Sequence, residues 1–211
     1  MGKNKKYMDR LNLISVRDQL SKNRLLIFSV RDFVRIFKVL PKTARAFLSF
    51  NTKKGSFKRL KMGIYIVSNN PPSSFEIANY LQRPSYLSFE TALSFYGIIP
   101  ETVYTITSAT TKPYKEFNLQ GQNYRYNKIK KELFFGYQPI KVRETKVVLI
   151  ADKEKAVLDY IYLLSLKKQS INERINLNKI DKEKLGKYIG FFKRRIRKNK
   201  AFINFIKQLH I

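Results

Sequence analysis

The chain has 211 residues and a formal charge of +28, from 43 Lys and Arg against 15 Asp and Glu, with 44% hydrophobic and 14% aromatic residues. Its 16 Phe and 13 Tyr supply enough apolar surface to offset chain entropy, which excludes a wholly disordered protein. With no cysteine, disulfide frameworks, Cys-ligated zinc, thiol nucleophiles and thiol redox chemistry are excluded.

Taken along the chain, Leu13, Val16 and Leu20 recur at helical spacing and predict a first helix ended by Ser21-Lys22-Asn23. The apolar run Leu25 to Phe28 follows. Ser29 and Asp32 form a capping box with a short acid, opening a second helix that carries Phe33, Val34 and Phe37 on one face and stops before Pro41. A third helix has Ala44, Phe47, Leu48 and Asn51 inward, with Lys42, Thr43, Arg45, Ala46 and Ser49 outward. Gly55 closes it. Ser56 to Leu60 and Ile64 to Val67 then predict two strands joined by Lys61-Met62-Gly63. Three helices followed by a hairpin give the winged helix-turn-helix order.

The stretch Ser68-Asn69-Asn70-Pro71-Pro72-Ser73-Ser74 marks a boundary, so domains are expected at 1–67 and 68–211. In the second, Phe75, Ile77, Ala78 and Leu81 predict a short helix. Another runs through Ala92, Leu93 and Phe95, with Ser88 as its cap and Gly97 as its stop. Strands are expected over Thr102 to Ser108, Tyr124 to Ile129, Leu133 to Tyr137 and Val147 to Ile150. From Asp152 the pattern turns helical, with Ala156, Val157, Ile161 and Leu164 as an apolar face, and further helices start near Asp181 and Ala201. The expected class is α+β, a winged helix followed by a mixed helix and sheet domain.

The charge is placed as well as plentiful. Between Pro41 and Gly63 stand seven cations and no acid. Such a segment suits a groove walled by phosphates, and so large a positive excess is relieved by a polyanion. Double-stranded DNA is therefore the expected partner. In the winged helix geometry the third helix enters the major groove, so Lys42, Thr43, Arg45 and Ser49 are the candidate base contacts. Lys53, Lys54, Lys58, Arg59 and Lys61 are the candidate phosphate contacts. A second cationic run, Lys193, Arg194, Arg195, Arg197, Lys198 and Lys200, is a candidate contact to DNA or RNA. Tyr124 and Tyr126 flanking Arg125 have a strand's alternation, and their stacking on unpaired bases is the lesser reading.

The winged helix ending in Gly63-Ile64-Tyr65 is followed by Ser85-Tyr86-Leu87-Ser88-Phe89-Glu90-Thr91-Ala92-Leu93 and Tyr96-Gly97-Ile98-Ile99-Pro100. A strand then passes into Ala151-Asp152-Lys153-Glu154-Lys155-Ala156-Val157-Leu158-Asp159. In their order and spacing, over roughly residues 25 to 165, these segments resemble the AbiEi family, the antitoxins and transcriptional regulators of type IV toxin-antitoxin systems. The resemblance implies an N-terminal winged helix that binds operator DNA. It also implies a C-terminal domain that opposes a nucleotidyltransferase-like toxin without a stable complex between the two. A homodimer on DNA would fit a palindromic operator.

An enzyme is not expected. His210, the one histidine, stands second from the end and is read as incidental. Asp152, Glu154 and Asp159 are read as serving a helix start. Glu144-Thr145-Lys146 has the Glu-x-Lys spacing of metal-dependent nucleases, but no preceding Asp completes it, so nuclease action is the runner-up, with an RNA-binding accessory role beside it. No Gly-rich phosphate loop is present, and no metal or cofactor is expected. No apolar run approaches the roughly 18 residues of a membrane span. The basic first ten residues lack a following apolar core, so a soluble, cytoplasmic protein with no membrane partner is expected.

Overall fold

The Pro, Ser and Asn residues at 68–74 offer little to bury, and the chain divides among them into two compact units, Met1–Ser73 and Ser74–Ile211. The computed structural model describes residues 11–119, 121–143, 146–167, 171–196 and 199–209, the side chains of 143 and 146 excepted. Among the described residues the protein is α+β, with eight α-helices, one three-stranded antiparallel sheet and one six-stranded mixed sheet.

In the first unit, α1 (Leu13–Lys22) begins at Asn12, whose Oδ1 accepts the Ile14 N–H at 2.8 Å, and it buries Val16 and Leu20. The following apolar run forms a strand, β1 (Ile27–Ser29), that pairs with the later hairpin. Both halves of the expected capping box are made at α2 (Val30–Phe37). Ser29 Oγ accepts the Asp32 N–H at 3.1 Å, and Asp32 Oδ2 accepts the Ser29 N–H at 2.9 Å. α3 (Pro41–Lys53) starts on a proline, whose missing N–H costs nothing in the first turn. Ala44, Leu48 and Asn51 are buried and Phe47 half-buried, while Lys42, Arg45, Ala46 and Ser49 are exposed and Thr43 is half-buried. Gly55 then turns the chain at a φ of +76°, a left-handed value that glycine adopts without strain.

The hairpin is β2 (Phe57–Lys61) and β3 (Ile64–Val67), its first arm of the expected length but shifted by one residue toward the turn, which is Met62-Gly63. β3 lies between β1 and β2. A bulge between Arg59 and Lys61 breaks the alternation of β2, so that Leu60 is buried while Lys58 and Arg59 are both exposed. The core is aromatic: Phe28 lies 6.2 Å from Phe33 and 5.8 Å from Phe57, and Phe33 lies 5.7 Å from Phe47. Offset and edge-to-face rings of this kind add about 0.5–1.5 kcal/mol per pair beyond the area they bury.

In the second unit, α4 (Ser74–Leu81) precedes β4 (Ser85–Leu87), α5 (Glu90–Phe95), β5 (Thr105–Thr110), β6 (Lys115–Leu119) and β7 (Gln122–Lys128). Then come β8 (Tyr137–Arg143), β9 (Lys146–Ala151), α6 (Lys153–Lys167), α7 (Lys182–Arg195) and α8 (Lys200–Gln208). The strand order is β6-β7-β5-β4-β9-β8, with β5/β7 and β4/β9 parallel. β4 and β9 share only the pair Leu87 and Ile150. Beside it the Asn79 amide substitutes for a peptide, accepting the Leu149 N–H and donating to the Leu149 carbonyl at 3.2 Å.

Several expected elements differ. The strand expected over Thr102 to Ser108 begins only at Thr105, and Leu133 to Tyr137 is no strand. A 3-10 turn at Lys131–Leu133 ends where that strand was expected to begin, 134–136 form no regular element, and β8 starts at its expected last residue. β6, whose side chains are mostly exposed, has no apolar alternation to betray it. Helix α6 is buried on every side from Glu154 to Ser165 rather than along one face, because α5, α7, α8 and β9 all pack on it. No helix among the described residues is long and apolar enough to cross a membrane.

Candidate nucleic-acid interface

The first unit holds a concave groove of about 930 Å³ between α2, α3 and the hairpin. Four guanidinium side chains line it: Arg31 and Arg35 from α2, Arg45 from α3 and Arg59 from β2. Ser29, Ser49 and Tyr65 add hydroxyl-bearing residues, and among the described residues no carboxylate lies on the lining. Arg35 reaches Asp32 at 3.3 Å, a mostly exposed pair of small energetic weight. Among the described residues, Arg31, Arg45 and Arg59 have no ion pair.

This arrangement follows from local sequence. Arg31 and Arg35 are four apart on α2 and so share a face, opposite the buried Phe33. Arg45 and Ser49 stand in the same relation on α3. The bulge at Leu60 leaves Arg59 exposed beside them.

Of the residues expected to touch DNA, the groove brings together Arg45, Ser49 and Arg59. Lys42 is exposed at the first turn of α3, Lys53 and Lys54 at its last, and Lys58 on β2. Thr43 and Lys61 are half-buried. The Lys54 ammonium lies 4.4 Å from the centre of the exposed Phe50 ring. Sequence reasoning missed Arg31 and Arg35, although their spacing opposite a buried Phe was available as a signal.

In the second unit, Lys193, Arg194 and Arg195 end α7 and Lys200 opens α8, while Arg197 and Lys198 lie outside the described residues. Glu144 and His210 lie outside them too, as does the side chain of Lys146. Among the described residues, no group of three or more His, Cys, Asp or Glu side chains could hold a metal ion. Tyr124 and Tyr126 are buried, and Tyr126 donates its hydroxyl to the Ala78 carbonyl at 2.5 Å, so neither presents a ring for stacking.

The acids read as serving a helix start do more than that. Asp152 does cap α6, accepting the Lys155 N–H at 2.8 Å. It also joins Glu154 in holding Lys184 of α7, at 3.0 and 3.1 Å, and Glu154 accepts the Asp181 N–H that opens α7. Asp159 is fully buried and ion-paired with the equally buried Lys155. Its other oxygen accepts hydrogen bonds from Tyr86 at 2.9 Å and Ser88 at 2.8 Å. Burial raises the Asp159 carboxyl above its usual range and lowers the Lys155 ammonium below its own, and their mutual attraction opposes both shifts.

This network corrects the expected cap at Ser88. Its hydroxyl is committed to Asp159, and the residue at the cap of α5 is the buried Phe89, at a φ of +57°. Such a conformation costs about 1–3 kcal/mol for a non-glycine residue. It is held by Thr107, whose carbonyl accepts the Ser88 N–H and whose hydroxyl donates to the Ser88 carbonyl. Comparison by sequence finds no matching family model and no matching curated protein.

Proposed function

We propose that this protein is a winged helix DNA-binding regulator of the AbiEi antitoxin type, acting without catalysis of its own. α2, the turn at 38–40 and α3 form the helix-turn-helix, and β2 with β3 forms the wing. The observation that carries the reading is the groove, where four arginines from three elements converge and, among the described residues, no carboxylate lies on the lining. A DNA backbone is the partner that such a surface favours.

In this reading α3 enters the major groove. Arg45 takes a base edge, with Lys42, Thr43 and Ser49 around it. Arg59, Lys58, Lys61, Lys53 and Lys54 hold phosphates on either side, joined by Arg31 and Arg35. The antitoxin role rests on the order of segments from Ser85 to Leu93 and from Ala151 to Asp159. Their residues Tyr86, Ser88, Lys155 and Asp159 meet in one buried network, so those segments carry the resemblance as core and not as a contact surface.

The experiment is binding of the full chain to its own upstream DNA and to a random duplex of equal length, across a salt series. Preference for the upstream sequence at physiological salt is expected, with Arg45→Ala losing about 1–3 kcal/mol on that sequence alone. Arg59→Ala should weaken both duplexes alike and flatten the salt dependence by about one unit. Equal affinity for the two duplexes at physiological salt would overturn the regulator reading.

A further inference from the structure

Folding brings Lys130, which follows β7, against the C-terminal end of α7. Its ammonium donates to the Arg195 carbonyl at 3.1 Å, a favourable place for a cation because the last carbonyls of a helix lack partners. Lys130, Arg194 and Arg195 line a cleft of about 430 Å³ whose remaining walls include Tyr162, Leu166 and Ile196. Among the described residues, no acid lies on the lining. The Arg194 and Arg195 guanidiniums lie 6.0 and 5.1 Å from the centre of the Phe191 ring, so one aromatic side chain attracts both cations. Among the described residues, none of the three cations has an ion pair. Leu166, 54% exposed, presents an aliphatic wall beside them.

We propose that this cleft binds single-stranded nucleic acid, its phosphodiester on Lys130, Arg194 and Arg195 and one unstacked base against the exposed Leu166. The cations account for a phosphate. The apolar wall accounts for a base face, which a duplex keeps inside its stack and a single strand offers freely. The volume lies within the roughly 300–1,000 Å³ of small-ligand sites, enough for one nucleotide of a longer strand. The site belongs to the second unit alone and stands independently of the groove in the first.

The test uses the full chain and fluorescent oligouridylate and oligothymidylate of about eight nucleotides, within the span of single-strand sites. The competitor is unlabelled random duplex at a concentration that saturates the first unit. Arg194→Glu with Arg195→Glu should lower affinity for the single strands at least tenfold, and Leu166→Ser should lower it severalfold with no change of charge. Lys182→Glu, at the other end of the same helix, should change it less than twofold. A preference for the uridylate would identify RNA as the natural strand, and equal binding would identify recognition through phosphate and base alone. Single-strand binding unaffected by the Arg194 and Arg195 changes, or lost equally with Lys182→Glu, would overturn the proposal. So would binding abolished only by Arg45→Ala with Arg59→Ala, which would assign it to the first unit.

Discussion

The two units carry the same net charge by different means. Met1–Ser73 holds seventeen Lys and Arg against three acids, and Ser74–Ile211 twenty-six against twelve, so each stands at +14. In the first unit the cations line a groove and the segment from Pro41 to Gly63 has no acid to pair with. In the second, Asp152, Glu154 and Asp159 are buried and held by Lys184, Lys155, Tyr86 and Ser88. Net charge therefore understates what the second unit shows to solvent, because some of its acids lie inside. Equal sums describe one surface groove lined by arginines and one interior built on ion pairs.

The sharpest way to break this comparison is to remove one buried charge. Lys155→Met leaves Asp159 without its ammonium, and loss of one partner from a buried pair costs about 3–5 kcal/mol. Lys155→Met with Asp159→Leu should recover most of that loss, since paired apolar replacements are often neutral. Hydrogen exchange of the intact chain reads the outcome: amides of β4 and α6 should lose protection in the single variant and regain it in the double. Unchanged protection in the single variant would show that the pair is not structural. Gly136, at a φ of +68°, packs on the same lysine, and a Cβ there would meet the Lys155 side chain at 3.1 Å, so Gly136→Ala should move the same amides.

Alkaline pH strains the same unit from another direction. Burial pushes the Tyr124 hydroxyl up to about 12 from an ordinary 10.0, and raises Tyr126 and Tyr86 well above that ordinary value too. For a group whose folded pKa is raised, stability is fully present below the unfolded pKa and is lost as pH rises through the folded one. The second unit should therefore hold its stability to about pH 10 and lose it toward pH 12, with tyrosinate absorption rising together with the loss of its exchange protection. Tyrosinate that forms fully by pH 11 without unfolding would contradict the burial of these rings.

How much of this was legible depended on the range of the interactions. In the first unit the signals are local: the box at Ser29 and Asp32, the stripe of Ala44, Leu48 and Asn51, and Gly55 all act within one turn, and all are found. The groove is half legible, through Arg45, Ser49 and Arg59: the spacing of Arg31 and Arg35 shows that they share an outer face of α2, but that this face meets α3 and the hairpin is a tertiary event. In the second unit the misleading residues are those with distant partners. Ser88 looked like a cap until Asp159, 71 residues away, claimed its hydroxyl. Lys130 gave no sign in sequence of meeting Arg195, 65 residues on. β6 is an edge strand with exposed side chains, and burial periodicity is silent about such strands.

A smaller effect tests the first unit's local construction. Ser29→Ala removes the acceptor for the Asp32 N–H, and loss of such a cap costs about 0.5–2 kcal/mol. The loss should appear in amides of α2 and β1 and leave β4 and α6 unchanged, since the box is confined to the first unit.

The smallest expected change in stability belongs to the groove itself, and that smallness is what makes it informative. Arg31 is exposed and has no ion pair among the described residues. Substitutions of this kind shift stability by no more than about 0.5 kcal/mol. Arg31→Ala should therefore leave hydrogen exchange in both units unchanged while weakening duplex binding and reducing its salt dependence by up to about one unit. Lys187→Ala on α7 removes an equal charge that pairs with Glu183 at 2.6 Å, and it should leave duplex binding as it was. If both variants weakened the duplex equally, overall charge and not the shape of the groove would govern binding, and the difference between the two units would be one of folding alone.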